Sequence, residues 1–309
     1  MKFYKPNFWN NNKFTIWPYV LFPFSLLIHL INYLKFTFSK KKSFDIPIIC
    51  VGNIYLGGTG KTPLCIEIFN ILKSLNVNPA FVRKYYEKFS DEQKLLEKKG
   101  KVFLNNQRAV AIKSLIDDNF DIALLDDGFQ DPSIKSDMSI VCFNQKQWIG
   151  NGFVIPSGPL REKLTALKRC DYVFINGYKN EEMEKIINKF NPKIKIFYTE
   201  YRLIDLDRIK NKKFLAFAGI GNPSNFFDLL KKNNIEIIKT KSFPDHYNFT
   251  KKDILKLNQE ANELNANLIT TEKDFSRLKI DDKKNINYLK IELVFNNKDE
   301  FVSDLKKVI

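Results

Sequence analysis

Residues 51–62, Val-Gly-Asn-Ile-Tyr-Leu-Gly-Gly-Thr-Gly-Lys-Thr, restrict the folds open to this chain more than any other stretch. They follow an apolar run, 46–51, that reads as a strand, and they lead into an amphipathic pattern, 63–75, that reads as a helix. A glycine-rich turn between strand and helix aims backbone N–H groups and a helix N-terminus at one point, and such a point suits a phosphate. Tyr55, Leu56, Gly57, Gly58, Thr59 and Gly60 would form the cradle of a nucleotide triphosphate site. Lys61 would reach the β- and γ-phosphates and the Thr62 hydroxyl would hold Mg²⁺. Loops of this kind usually have glycine where this chain has Tyr55, and the plain alternative is an ordinary strand-to-helix turn.

A second landmark is 120–130, Phe-Asp-Ile-Ala-Leu-Leu-Asp-Asp-Gly-Phe-Gln. An apolar strand ending in two carboxylates delivers them to the edge where open α/β sheets bind ligands, beside the phosphate loop. Asp126 or Asp127 can hold Mg²⁺ there, directly or through water, unless the pair serves only an Asp-Gly turn. Between the landmarks, 79–83 and 102–104 read as strands and 91–99 and 108–119 as helices, with Asp91 near a helix start. Strands at 138–143 and 172–176 flank a Gly- and Pro-rich loop, 150–162, that presents Arg161. The runs 195–203 and 287–295 could pair as a ribbon leading to a second lobe, with strands 214–219 and 268–270 and helices 224–233 and 251–264. His246 falls in that lobe, and by itself it reads as structural before catalytic.

With 309 residues, 44% of them hydrophobic, the chain can fill more than one core, which excludes a disordered protein. A net charge of +15 favours an anionic partner. The lysines are scattered, however, and no aromatic-studded basic face or recognised module points to nucleic acid. Cys50, Cys65, Cys142 and Cys170 form no CxxC pair and are expected as buried, reduced thiols. The stretch 14–34 has no charged residue and is rich in aromatic side chains. Pro18 and Pro23 are expected to interrupt it, leaving 24–34 as the longest clean helix, about 16 Å against a hydrocarbon core of about 30 Å. Ser25, His29 and Asn32 share one side and Leu27, Ile28, Ile31 and Leu34 another. An amphipathic helix lying in a membrane interface is therefore favoured over a span, a core helix or a signal peptide, with Lys35 and Lys40, Lys41 and Lys42 at anionic headgroups.

Six motifs in order, VGNIYLGGTGKTP, LLDDGFQ, GNGFVIPSGPLRE, FAGIGNP, FPDHY and TTEKD, follow this apolar segment, and the whole resembles the tetraacyldisaccharide 4′-kinase family, the lipid A 4′-kinases of Gram-negative bacteria. The resemblance implies an α/β fold: a P-loop NTPase-like (Rossmann-like) parallel-sheet lobe, a smaller α/β lobe joined to it by a two-stranded ribbon, and an N-terminal membrane-associated helix. The implied boundaries are 1–44 for the helix and its basic flank, 45–205 for the kinase domain and 206–309 for the C-terminal lobe. The implied reaction moves the γ-phosphoryl group of ATP, with Mg²⁺, to the 4′-hydroxyl of a tetra-acylated disaccharide 1-phosphate, giving lipid IVA at the cytoplasmic face of the inner membrane. The lipid A precursor and the membrane surface are the implied partners, with no obligate protein partner.

Carried over residue by residue, Asp91 would be the acid near the accepting hydroxyl and His246 its partner. Lys61 and Asp127 would complete the catalytic set, and Asn53, Gln130 and Arg161 would face substrate. The family shares the missing first glycine at Tyr55. It differs in having Arg-Gly-Tyr-Gly where this chain has Arg83-Lys84-Tyr85-Tyr86, in a stretch before Asp91 longer by about fifteen residues, and in a histidine where this chain has Asp131. The first two differences bear on the lid over the nucleotide. The alternative to this resemblance is a P-loop NTPase acting as a membrane-associated switch or on another acceptor.

Overall fold

The structure, a computed structural model, describes residues 5–10, 15–85, 90–204, 206–245 and 247–309, and of Ser90, Asp91 and Ile280 only the backbone. Two positions expected to be catalytic lie outside this description: His246 entirely, and Asp91 in its side chain. The elements begin with α1 (Trp17–Phe38), β1 (Ile48–Gly52), α2 (Lys61–Ser74), β2 (Pro79–Lys84), α3 (Ser90–Glu97) and β3 (Val102–Asn105). They continue with α4 (Arg108–Asp117), β4 (Ile122–Asp126), β5 (Met138–Asn144), β6 (Tyr172–Asn176), α5 (Glu181–Phe190) and β7 (Lys195–Ile204). The remainder is β8 (Lys213–Ala218), α6 (Pro223–Lys232), β9 (Glu236–Ser242), α7 (Lys251–Glu263), β10 (Asn267–Thr271), α8 (Glu272–Arg277), β11 (Ile286–Phe295) and α9 (Lys298–Leu305).

The described residues divide into two compact units, one holding 5–85, 99–200 and 293–309, the other 90–98 and 201–292. In the larger unit the strand order is β3-β2-β4-β1-β5-β6-β7, and the paired strands are parallel. Parallel strands covered on both faces read as unbroken apolar runs, and every residue of β1, β4 and β5 is buried. The register sets Val51 of β1 opposite Asp126 of β4, so the two strands finish side by side. That register is why the glycine loop and the paired carboxylates meet. Helix α2 lays Leu64, Cys65, Ile68, Phe69 and Leu72 into the core, with Phe69 stacked on Phe81 at 4.6 Å. Helix α9 belongs to this unit: Phe301 is fully buried and meets Tyr172, Phe174 and Phe197 edge-on. All four cysteines are buried free thiols, and burial pushes those of Cys50 and Cys142 up to about 12.

The smaller unit orders its strands β11-β10-β8-β9, again parallel. Helix α6 buries Phe226, Phe227 and Leu230, and α7 buries Ile254, Leu257 and Ala261 behind a capping box of Thr250 and Asp253. Strands β7 and β11, the two runs expected to pair, are neighbours in the strand order, and each begins in one unit and ends in the other.

Helix α1 corrects the expected eleven-residue segment. It runs unbroken for 22 residues, about 33 Å at 1.5 Å per residue. Pro18 sits in the first turn, where its missing N–H removes no intrahelical bond. Pro23 lies inside the helix and forgoes one bond without ending it. Its mean hydropathy reaches 1.4 over a window only 6% buried, which rules out a core helix. By length and composition alone it could cross a membrane. The orientation is inverted relative to a soluble amphipathic helix: buried Ser25 and half-buried Ile28, His29 and Asn32 face the protein, while Phe24, Leu27, Ile31 and Leu34 face outward.

Candidate active site

The phosphate loop is pinned from beneath by Asn53, which is fully buried; its carboxamide donates to the Gly57 carbonyl at 3.2 Å and the Thr59 hydroxyl at 2.9 Å. Residues 54–56 pair with 159–161: Leu56 donates to the Pro159 carbonyl at 2.8 Å and Arg161 donates to the Ile54 carbonyl at 2.7 Å. This extended pairing explains Tyr55. The position needs no positive φ, and the ring turns inward against Val154, Leu160 and Ile28, where burial pushes its hydroxyl up to about 12. Positive φ begins at Gly57 (128°) and returns at Gly60 (93°), immediately before α2. The same pairing carries Arg161 to the loop.

Asp126 ends β4 fully buried, with both carboxylate oxygens 3.4 and 3.5 Å from the Thr62 hydroxyl. Arg83, at the end of β2 and only 5% exposed, holds one of them at 2.8 Å. Asp127 has φ 59°, a left-handed conformation that Asp tolerates and that turns its carboxylate away from that of Asp126. It lies 2.8 Å from Arg161 and 3.6 Å from Lys61. Gln130 accepts from Arg161 at 3.0 Å and donates to the Asn53 carbonyl at 2.7 Å. Asn53, Lys61, Thr62, Asp126, Asp127, Gln130 and Arg161 are thus one connected cluster in the larger unit, with three cations (Lys61, Arg83, Arg161) against two carboxylates. A surplus of positive charge beside open N–H groups suits phosphate oxygens.

Two arginines extend the cluster. Arg108, at the start of α4, donates to the Asp127 carbonyl at 2.7 Å and to Asp131 at 3.0 Å. Burial works against the charge of Asp131, but hydrogen bonds from Ser133 and Arg108 outweigh it and hold the carboxyl below the ordinary range. Arg169 grips buried Glu162 through both carboxylate oxygens, at 2.6 and 2.7 Å. The roles of Arg83, Arg108 and Arg169 are not legible in the sequence alone. The available signal is an arginine that follows four apolar residues in one strand, Pro-Ala-Phe-Val-Arg-Lys.

Among the described residues no group of three His, Cys, Asp or Glu side chains converges as a metal site. Thr62 and Asp126 form the adjoining pair of hard oxygen donors that fits Mg²⁺, an ion that usually takes only one or two protein ligands and completes its shell with phosphate and water.

In the smaller unit, α3 packs on α8: Glu92 meets Lys273 at 3.1 Å and Lys98 meets Glu272 at 3.8 Å. Lys273 also comes within 4.0 Å of Asp245. The chain neighbours of Asp91 and His246 therefore share one lysine. Asp274 is fully buried; burial raises its carboxyl, while Arg277 at 2.7 Å, the Gly219 N–H at 3.0 Å and Thr271 work the other way. This knot fixes the turn after β8.

The family model for tetraacyldisaccharide-1-P 4′-kinase matches residues 17–90 and 84–309. A Pelagibacter ubique protein named tetraacyldisaccharide 4′-kinase is 42% identical over 100% of this chain and 99% of its own length. A Rickettsia canadensis protein of the same name is 34% identical over 96% of this chain and 95% of its own. Among solved structures, LpxK from Aquifex aeolicus in complex with ATP superposes with a TM-score of 0.73 at 23% identity, covering 94% of this chain and 99% of that one. At that identity the superposition speaks for the fold.

Proposed function

The chain belongs to the tetraacyldisaccharide-1-P 4′-kinase family, and from that premise we propose that it transfers the γ-phosphoryl group of ATP to the 4′-hydroxyl of tetraacyldisaccharide 1-phosphate, forming lipid IVA for lipid A. The observation that carries the reading is the meeting of Lys61, Thr62, Asp126, Asp127 and Arg161 where β1 and β4 end together. The extended loop with its two glycine turns cradles the phosphates. Lys61 and Arg161, held ready by Asp127, balance charge on the transferring group. Thr62 and Asp126 would hold Mg²⁺, which when bound supplies further charge neutralisation at the phosphates.

Asp91 takes the role of acceptor for the hydroxyl proton, with His246 orienting it. A carboxylate is a weak base in water, so a hydrogen-bonded imidazole in a dry cleft is the needed support. The shared Lys273 supports placing the two segments in one neighbourhood. Asn53 and Gln130 act by shaping the loop and aiming Arg161. Residues 1–44 serve as membrane segment, most of 45–205 together with α9 as the kinase domain, and 206–292 together with α3 as the second lobe, the stretch of sequence that holds His246. Helix α1 rests with its apolar side in the inner membrane, on the cytoplasmic face where ATP is found, and Lys35 and Lys40, Lys41 and Lys42 meet anionic headgroups.

The test is transfer of labelled γ-phosphate from Mg·ATP to tetraacyldisaccharide 1-phosphate in detergent micelles, wild type beside Lys61→Ala. Labelled lipid from the wild type alone is expected. ATP hydrolysis without labelled lipid would remove the assigned acceptor.

A further inference from the structure

A relay of side chains runs from Arg161 away from the phosphate loop. The Gln130 carboxamide oxygen accepts from Arg161 at 3.0 Å, while its nitrogen donates to the Asn53 carbonyl at 2.7 Å and to the Glu162 carboxylate at 3.2 Å. With both N–H groups committed, the oxygen is left to face the Arg161 guanidinium; the reversed amide would set donors against donors. Glu162 thus selects the amide orientation, and Arg169 holds Glu162, its Nη2 standing 2.7 and 2.6 Å from the two carboxylate oxygens. We propose that Arg169 is a positioning residue for phosphoryl transfer, aiming Arg161 at the transferring group through Glu162 and Gln130. The proposal deepens the reading above and rests on it.

Arg169 is itself firmly seated. It closes a short 3-10 helix, Leu164–Arg169, in which Ala166 and Leu167 are buried. The Asn191 carboxamide donates to the Leu167 and Cys170 carbonyls at 3.1 and 2.8 Å, pinning the end of that helix. The guanidinium carbon stands 4.1 Å over the centre of the Phe36 ring and 4.3 Å over that of Phe129. Ring faces meet the flat face of a guanidinium and leave its N–H groups in plane for a carboxylate, so stacking and pairing reinforce each other. An ammonium in this place would keep the charge and lose the planar fit. Phe129 directly precedes Gln130, and Phe36 lies in the last turn of α1, where Lys35 also donates to the Gln130 carbonyl at 3.4 Å. Glu162 is buried, so a carboxylate freed from Arg169 must move toward solvent, which releases Gln130. Helix α1 thereby bears on the aim of Arg161.

The experiment measures kcat for labelled phosphoryl transfer and the Mg·ATP dissociation constant on the full chain in detergent micelles. The variants are Arg169→Met, Arg169→Lys, Phe36→Leu and Phe36→Tyr, with Arg169→Met and Phe36→Leu repeated in a Gln130→Ala background. Both changes at Arg169 should lower kcat about tenfold to a hundredfold, with the ATP dissociation constant within about threefold of wild type. Phe36→Leu should lower kcat about threefold to tenfold, and Phe36→Tyr, which keeps the ring face, should stay within about twofold of wild type. In Gln130→Ala, which already lacks the relay, neither change should lower kcat further by more than about twofold. Losses that multiply in that background, as they would if Arg169 served only the fold, or an unchanged kcat in the single variants, would overturn the proposal. Should Arg169→Met fail to fold, the Phe36 variants decide it alone. Wild type that hydrolyses ATP and labels no lipid would overturn the assigned acceptor instead, and the same cycle read on hydrolysis would still decide the role of Arg169.

Discussion

Replacing Arg83 by Met tests the core of the site. The side chain keeps most of its apolar stem, but the guanidinium 2.8 Å from Asp126 is lost, and Asp126 is fully buried. Removing one member of a buried ion pair strands the other, at a cost of about 3–5 kcal/mol. With about 2–4 °C per kcal/mol for a unit of this size, its thermal transition should fall by about 6–20 °C. Thermal unfolding in detergent, followed beside turnover, reads both stability and function. Arg83→Met/Asp126→Asn removes both charges and should recover most of the lost stability while turnover stays absent, because Asp126 is also assigned to the metal. A single variant within about 1 kcal/mol of wild type, or a double variant no more stable than the single, would refute the reasoning.

Asp91→Ala should lower kcat about a hundredfold or more, with the ATP dissociation constant within about twofold; an unchanged kcat would remove the base assignment. Leu27→Glu/Ile31→Glu, both on the outward face of α1, should release the protein from anionic vesicles without moving its thermal transition, and retained binding would put the anchor elsewhere. Asp304 is held at about 2 by hydrogen bonds from Lys195 at 2.5 Å and Lys307 at 2.8 Å. Its folded value lies below the unfolded value of about 3.9, so its contribution is present above about pH 4 and is lost as pH falls toward 2. Asp304→Asn should be less stable than wild type by about 1 kcal/mol at pH 7, given solvent around the two lysines, and the gap should shrink steadily as pH falls from about 4 to about 2; a gap that stays constant over that range would contradict the pairing.

The parts of the molecule that could be read without coordinates are those where one local pattern has one physical solution. Buried parallel strands gave uninterrupted apolar runs at β1, β4 and β5, and the ends of two of them carry the loop and the carboxylates. The fold class and the membership of the family follow from the same motifs. What escaped depends on distance or exposure. Arg83 lies 43 residues from Asp126 and Arg108 lies 23 from Asp131, so nothing adjacent to either reveals its partner. Strand β9, Glu-Ile-Ile-Lys-Thr-Lys-Ser, is an edge strand with no buried residue and therefore shows no apolar run. Helix α1 is longer than the eleven residues expected because neither proline breaks it. The first falls where a helix has no bond to lose, and the second removes only one.

The seating of α1 has a geometric consequence. Asn32 donates to the backbone carbonyl of Arg161 at 3.3 Å, and Ser25 donates to Val154 at 2.8 Å, so the helix and the arginine loop move as one piece. An outward face that settles at a fixed level among acyl chains then sets the height of Arg161 above them. With α1 seated in a membrane as proposed, the helix would act as a depth gauge, and the sugar hydroxyl of an acceptor anchored by its acyl chains would be met at an elevation fixed by the protein. Reach above the bilayer, as well as chemistry, would then select the substrate.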